Sequence, residues 1–210
     1  FRQDRASHPQ AVGIGVQLVR GQRSEVRGQM KHKGCVVWFT GLSGSGKTTL
    51  AVALKKHLDR RGCHVFVLDG DNVRRGLCRD LGFSKADRDE NIRRVSEVAK
   101  LFADGVLVCL TAFISPFRAA RARAKRTIGP GRFLEVYMAA DLSVCETRDV
   151  KGLYGKARAA AIRDFTGVSQ AYEPPAKPDL TIDTARISVR RAVADVVALL
   201  KKRGVLAGRL

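Results

Sequence analysis

No apolar stretch in the sequence approaches the roughly 20 residues that span a bilayer. Even Val106-Leu107-Val108-Cys109-Leu110 is soon bounded by polar or turn residues, so no membrane-spanning helix is expected. The N-terminus has arginines but lacks the apolar core of a signal peptide. Because the chain opens on Phe1 and not on Met, it reads as a fragment or a trimmed chain. There is also no C-x-x-C pair: the five cysteines (35, 63, 78, 109 and 145) form no zinc-ligand spacing with one another or with His8, His32, His57 and His64. Neither a disulfide framework nor a structural zinc is indicated. Buried thiols in a reducing, cytoplasmic compartment are expected instead.

Acidic residues are scarce, 20 Asp and Glu against 39 Lys and Arg, which leaves a net charge of +19. The excess is concentrated at the ends: residues 1–33 carry seven basic side chains against two acids, and residues 186–210 carry seven against one. Such an excess suits nucleic acid, a membrane surface, an acidic partner or an anionic small substrate. No aromatic-basic recognition motif accompanies it, so an anionic small substrate is favoured and nucleic acid is not expected.

What the chain does have is Gly41-Leu42-Ser43-Gly44-Ser45-Gly46-Lys47-Thr48-Thr49, the pattern G-x-x-x-x-G-K-[ST]. It follows the apolar run Cys35 to Thr40 and precedes a helical pattern, the setting of a phosphate-binding loop. Glycines let backbone amides curl around phosphate oxygens, Lys47 reaches the outer phosphates, and the Thr48 hydroxyl suits Mg²⁺. Gly41, Ser43, Gly44, Ser45, Gly46, Lys47, Thr48 and Thr49 are therefore the expected ATP-binding set.

At 210 residues and 45% hydrophobic, the length supports one well-buried domain. Residues 1–33 show no sustained period and read as a basic extension, a linker or the tail of an upstream domain; 34–204 form the domain, and 205–210 a short tail. The helix expected over Thr49 to Arg61 places Leu50, Val52, Ala53, Leu54, His57 and Leu58 on its apolar face. His64 to Leu68 is the next strand, and its C-terminal end delivers Asp69-Gly70-Asp71-Asn72-Val73-Arg74, where open α/β sheets place ligands. Asp71 lies further out and is the expected base or orienting carboxylate, Asp69 the anchor of the turn. On spacing alone, an acidic turn and helix cap reads equally well.

Ser84 with Asp87 has the form of a capping box with Asp in place of Glu. Arg88, Asn91 and Arg94 follow at spacings of three, on one helical face. Val106 to Phe113 reads as a strand buried on both faces, leading to Ile114-Ser115-Pro116-Phe117-Arg118. There Ser115 is a helix cap or a group that contacts substrate, with Pro116 in the first helical turn. In the helix that follows, Arg121, Arg123, Lys125 and Arg126 read as a solvated face, leaving Arg118 as the site candidate. Phe133 to Met138 is a fourth strand, Asp141 to Asp149 a helix capped by Asp141, Asp179 to Asp183 a fifth strand, and Ser188 to Lys202 a last helix with Val189 on its apolar face. Lys151 to Gly167, rich in cations and small residues, reads as a lid that excludes water.

These blocks in this order resemble the adenylylsulfate kinase family. The likeness rests on the loop at Gly41, on Asp69 to Arg74, on Leu81-Gly82-Phe83-Ser84 with Asp87-Arg88 and Glu90 to Arg94, and on Ile114 to Arg118. It continues through Lys151-Gly152-Leu153-Tyr154, Phe165-Thr166-Gly167 and Tyr172-Glu173-Pro174. The resemblance implies an α/β fold of the P-loop NTPase type, a doubly wound parallel sheet flanked by helices with a lid segment. It also implies transfer of the ATP γ-phosphoryl group to the 3′-hydroxyl of adenylylsulfate, with Mg²⁺ at Thr48. Asp71, Lys47 and Ser115 are the implied catalytic residues, and Asp71, Arg74, Phe83, Arg88, Asn91, Ile114, Ser115, Lys151 and Phe165 the substrate-binding ones. Phe83 and Phe165 would stack on the adenine, and Gly155 stands where family members often carry a further lysine. The expected partners are adenylylsulfate, a second copy of the chain and an ATP sulfurylase, fused or in complex.

Three rivals stay open on sequence alone: a kinase for another small acceptor such as a nucleotide or sugar acid, a nucleic-acid-dependent NTPase, and a nucleotide-binding regulator without turnover.

Overall fold

The structure is a computed structural model that describes residues 32–149, 152–162 and 164–206. Five parallel strands form one sheet in the order β2-β3-β1-β4-β5. They are β1 (Cys35–Thr40), β2 (Val65–Asp69), β3 (Val108–Ala112), β4 (Phe133–Met138) and β5 (Leu180–Ile182). β1 lies at the centre, with Val37 in register with Leu110 of β3 on one side and Leu134 of β4 on the other. All six β1 residues are buried, as a strand covered on both faces requires.

Alternation along β1 divides the core. Cys35, Val37 and Phe39 pack with Leu50, Leu54 and Leu58 of α1 (Lys47–Asp59) and Val193, Val196 and Leu200 of α7 (Val189–Lys202). Val36 and Trp38 point the other way, toward Ile92, Val95 and Ala99 of α3 (Lys85–Asp104) and Ala120 and Ala124 of α4 (Arg118–Ile128). Truncating a fully buried leucine such as Leu54 costs about 2–5 kcal/mol.

The order places β3 and β4 on opposite sides of β1, so the chain reverses its direction of winding there. The crevice beyond the carboxyl ends of these strands is where such sheets hold ligands. The phosphate loop, Asp69 and the Phe113 to Ser115 turn all lie at these ends.

Several expectations need correction. Val52 and Val189 are exposed, at 42% and 45%, because the inward stripes of α1 and α7 run through Leu50, Ala51, Leu54 and Leu58 and through Ala192, Val193, Val196, Val197 and Leu200. Pro116 lies outside α4, whose N-cap is Phe117 with no side-chain cap, so Ser115 does not cap it. Asp141 holds the N-cap position of α5 (Leu142–Arg148) without a side-chain bond. The fold also reaches beyond the expected boundaries: His32 bridges to Leu206, the Lys33 amide donates to Val205 O, and both Val205 and Leu206 are buried. The rest of the extension, residues 1–31, and 207–210 of the tail lie outside the described residues.

All five cysteines are buried and free, as expected. Burial pushes the Cys35 thiol up to about 12 and that of Cys109 higher still. Among the described residues there is no group of three or more potential metal ligands. No helix there is long and apolar enough to cross a membrane.

Candidate active site

The loop between β1 and α1 is built around glycines at positions where a side chain meets backbone or a strained left-handed conformation. A Cβ on Gly41 would lie 2.7 Å from Met138 O, and one on Gly44, at φ 75°, would lie 2.8 Å from Cys145 O. Gly46, at φ 87°, is the N-cap of α1 and offers no side-chain acceptor, nor does any acid stand in the first turn. The positive helix end is thus left for an anion. Ser45 is fully buried, Ser43 half-buried, and Thr48 and Thr49 are exposed. Lys47 is buried, and its Nζ donates to Leu42 O at 2.6 Å and Gly41 O at 3.0 Å. That places a cation at the mouth of the glycine turn.

Thr48 Oγ1 donates to Asp69 Oδ2 at 2.8 Å. The other oxygen, Oδ1, accepts from the Asp71 amide at 3.0 Å and so caps α2 (Gly70–Arg75). Asp69 is the anchor expected, and it is also a partner of the loop threonine, a role sequence reasoning missed. A hydroxyl beside a carboxylate is an all-oxygen set that fits Mg²⁺. Asp71 is exposed in the first turn of α2.

At the end of α2, Arg74 donates to Gly82 O at 2.8 Å, and its guanidinium lies 4.4 Å from the centre of the Phe83 ring. Arg88, 8% exposed, donates to Phe83 O at 3.0 Å and Asp164 O at 2.7 Å, its guanidinium 5.4 Å from the same ring. Burial first, then the neighbouring Arg74, lowers Arg88 to about 10, so it remains a cation at neutral pH. Phe83 itself is 52% exposed, a ring held by cations and open on the remaining side. Asn91 is buried, and among the described residues its Nδ2 has no acceptor at hydrogen-bonding distance.

The polar stripe divides at its third member. Arg94 pairs with Asp80 at 2.7 and 2.8 Å and with Glu90 at 3.0 Å, which makes it a clamp on the loop before α3. Ser84 caps α3 by accepting from the Asp87 amide at 3.1 Å.

The family model for adenylylsulphate kinase matches residues 33–183.

The chain belongs to the adenylylsulfate kinase family.

An adenylyl-sulfate kinase from Prochlorococcus marinus is 54% identical over 178 residues, 85% of this chain and 89% of that protein. Among solved structures, the Mycobacterium tuberculosis APS kinase CysC in complex with AMPPNP and APS superposes with a TM-score of 0.78 at 45% identity, covering 81% of this chain and 99% of that one. A hexameric APS kinase from Thiobacillus denitrificans gives a TM-score of 0.65 at 34% identity, over 85% of this chain and 31% of that one.

Within this family frame, Ser115 is 2% exposed and sits at φ 40°, left-handed backbone that is uncommon for a non-glycine residue. Its Oγ accepts from Trp38 Nε1 at 3.1 Å and donates to Thr40 Oγ1 at 3.0 Å. Thr40 Oγ1 in turn donates to Ile114 O at 2.8 Å and lies 2.9 Å from the Tyr172 hydroxyl. Arg118 donates through Nε to Pro174 O at 2.6 Å, and its amide donates to Glu173. Arg121 is not the solvated residue expected. It is 3% exposed, paired to Glu135 at 2.7 Å, and donates to Ser115 O and Glu173 O. The signal for it was Glu135, a carboxylate inside an otherwise apolar strand, which burial obliges to find a cation.

In the segment read as a lid, Leu153–Arg158 forms α6. Phe165 is 7% exposed and packs edge-on against Tyr154, so it belongs to a third apolar cluster with Ala140 and Cys145. A Cβ at Gly155 would meet nothing within 4 Å, leaving open space there. Lys151 lies outside the described residues.

Proposed function

We propose that this chain transfers the γ-phosphoryl group of MgATP to the 3′-hydroxyl of adenylylsulfate, giving 3′-phosphoadenylylsulfate and ADP, a step of sulfate activation. The observation that carries it is the Asp69 carboxylate, which holds Thr48 of the donor loop with one oxygen and the Asp71 amide with the other. The candidate metal ligand and the candidate base are thereby fixed to the same strand end.

The loop amides and Lys47 would bind the β and γ phosphates and offset charge on the equatorial oxygens as the bond between the γ phosphorus and the bridging oxygen breaks. Thr48, beside Asp69, would hold Mg²⁺, which would supply further neutralisation of these oxygens. Asp71 orients the attacking hydroxyl and receives its proton as the new P–O bond forms. Gly41, Ser43, Gly44, Ser45, Gly46 and Thr49 complete the nucleotide set. Arg74, Arg88 and Asn91 would grip the phosphosulfate, with Phe83, Phe165 and Lys151 holding the rest of the acceptor. Ile114 and Ser115 would shape its hydroxyl end. With its hydroxyl buried and committed to Trp38 and Thr40, Ser115 serves as a positioning group; direct transfer of a loose phosphoryl group needs no protein nucleophile.

The proposal extends to a homodimer, to supply of adenylylsulfate by a fused or associated ATP sulfurylase, and to a cytoplasmic setting, which the five free buried thiols favour. An acceptor panel tests the reaction itself. With MgATP, adenylylsulfate should be phosphorylated in preference to other nucleotides and sugar acids, and a preference for any of those would refute the reading.

A further inference from the structure

One side chain touches both halves of the site. The Tyr154 hydroxyl donates to Ser43 O, inside the phosphate loop, at 3.0 Å. Its ring meets Phe165 edge-on, with centroids 5.0 Å apart and planes at 82°. Ser43 belongs to the donor loop and Phe165 to the acceptor set, 122 positions later in the chain.

Tyr154 is held firmly enough to transmit force between them. It is 3% exposed, and burial raises its phenol above the ordinary range, so it remains a hydrogen-bond donor at neutral pH. It is the second residue of α6, whose first turn is pinned by Asp149: that carboxylate accepts from the amides of Leu153 at 2.8 Å, Tyr154 at 2.9 Å and Gly155 at 3.2 Å. Phe165 is fixed in turn by its own amide, which donates to Ser169 Oγ at 2.9 Å, and by three amides that donate to its carbonyl. The backbones on either side of the contact are therefore ordered. A tyrosine has only two side-chain torsions, so little freedom is lost in linking them.

We propose that Tyr154 is a positioning residue that couples the two substrate sites, so that settling the phosphate loop around a nucleotide also fixes Phe165 for the acceptor. The inference rests on the adenylylsulfate kinase reading. Coupling of this kind is reciprocal: each substrate tightens the other by the same factor. The hydroxyl carries one arm of the link and the ring the other. Y154F cuts only the first, and the loss of one such bond is about two- to tenfold in an equilibrium constant.

The test measures adenylylsulfate binding with and without MgAMPPNP, together with amide exchange over residues 164–172, in wild type and Y154F. Wild type is expected to bind adenylylsulfate more tightly with MgAMPPNP and to exchange more slowly over that segment. In Y154F the coupling factor, taken as the ratio of adenylylsulfate affinities with and without MgAMPPNP, should fall about two- to tenfold, and the exchange response should disappear. Coupling retained in Y154F overturns the proposal, as does a wild type whose segment 164–172 ignores the nucleotide. This second readout stands even if Y154F fails to fold. A wild type that forms no 3′-phosphoadenylylsulfate refutes the proposed function and this inference together, whereas an active wild type with coupling intact in Y154F refutes the inference alone.

Discussion

Arg121 donates from Nη1 to the carbonyl oxygen of Ser115 at 2.6 Å, across one turn of chain that includes the start of α4. Its Nη2 reaches Glu173 O at 2.7 Å, so a single buried guanidinium ties the turn after β3 to the segment that follows Phe165. Its charge is balanced by Glu135 of β4. Replacing it with methionine leaves a half-buried carboxylate and two carbonyls without this donor, a loss of about 2–4 kcal/mol in stability. R121K keeps the charge but cannot present three donors in a planar fork, so it should also be destabilised and slower. Urea midpoints and kcat/KM for both variants check this, and wild-type values for R121K would contradict it.

Thr48 and Asp69 form one oxygen pair at 2.8 Å. In T48V the hydroxyl is gone, and the Mg²⁺ concentration for half-maximal activity should rise; T48S should restore it. Activity titrated with Mg²⁺ at fixed ATP reads the effect directly.

Phe83 is 52% exposed and contributes little to the core. F83A should therefore leave stability within about 0.5 kcal/mol of wild type. The KM for adenylylsulfate should rise by about five- to a hundredfold, the range of a lost aromatic–base stack. An unchanged acceptor KM would remove Phe83 from the site.

Glu90 is held down to about 2, from an ordinary 4.5, chiefly by the hydrogen bonds of Arg93 and then of Arg94. Because the folded value is the lower one, the unfolded chain binds the proton first as pH drops. The stabilisation is present above pH 4.5 and is lost as pH falls toward 2. E90Q should flatten the fall in denaturant midpoint across that window, measured against wild type from neutral pH downward.

The donor half of the site was legible in the sequence because its chemistry is local. Gly41 to Thr49 is one continuous segment whose glycines, lysine and threonine each carry a backbone or side-chain requirement visible in residue type alone. The five strands were legible for a similar reason, as apolar runs with turn residues at their ends. Arg121, Tyr154 and the Thr40–Ser115–Trp38 network were not, because each is defined by partners far away in the chain: Tyr154 meets Ser43, and Trp38 meets Ser115. Periodicity placed Arg121 among solvated arginines, and only the packing of β4 against α4 shows why it is buried. Val52 and Val189 erred in the opposite sense, since residue type marks an apolar side chain but not the edge of the stripe it belongs to.

The central claim is that Lys47 and its loop hold ATP while its γ-phosphoryl group passes to the 3′-hydroxyl of adenylylsulfate. Purified wild type and K47A, incubated with MgATP and adenylylsulfate, test it most directly by counting ADP and 3′-phosphoadenylylsulfate together. Wild type should form the two in equal amounts, and K47A should be slower by about 10²–10³-fold while remaining folded. Absence of 3′-phosphoadenylylsulfate from the wild-type reaction, or a K47A variant that turns over as fast as wild type, would contradict the account.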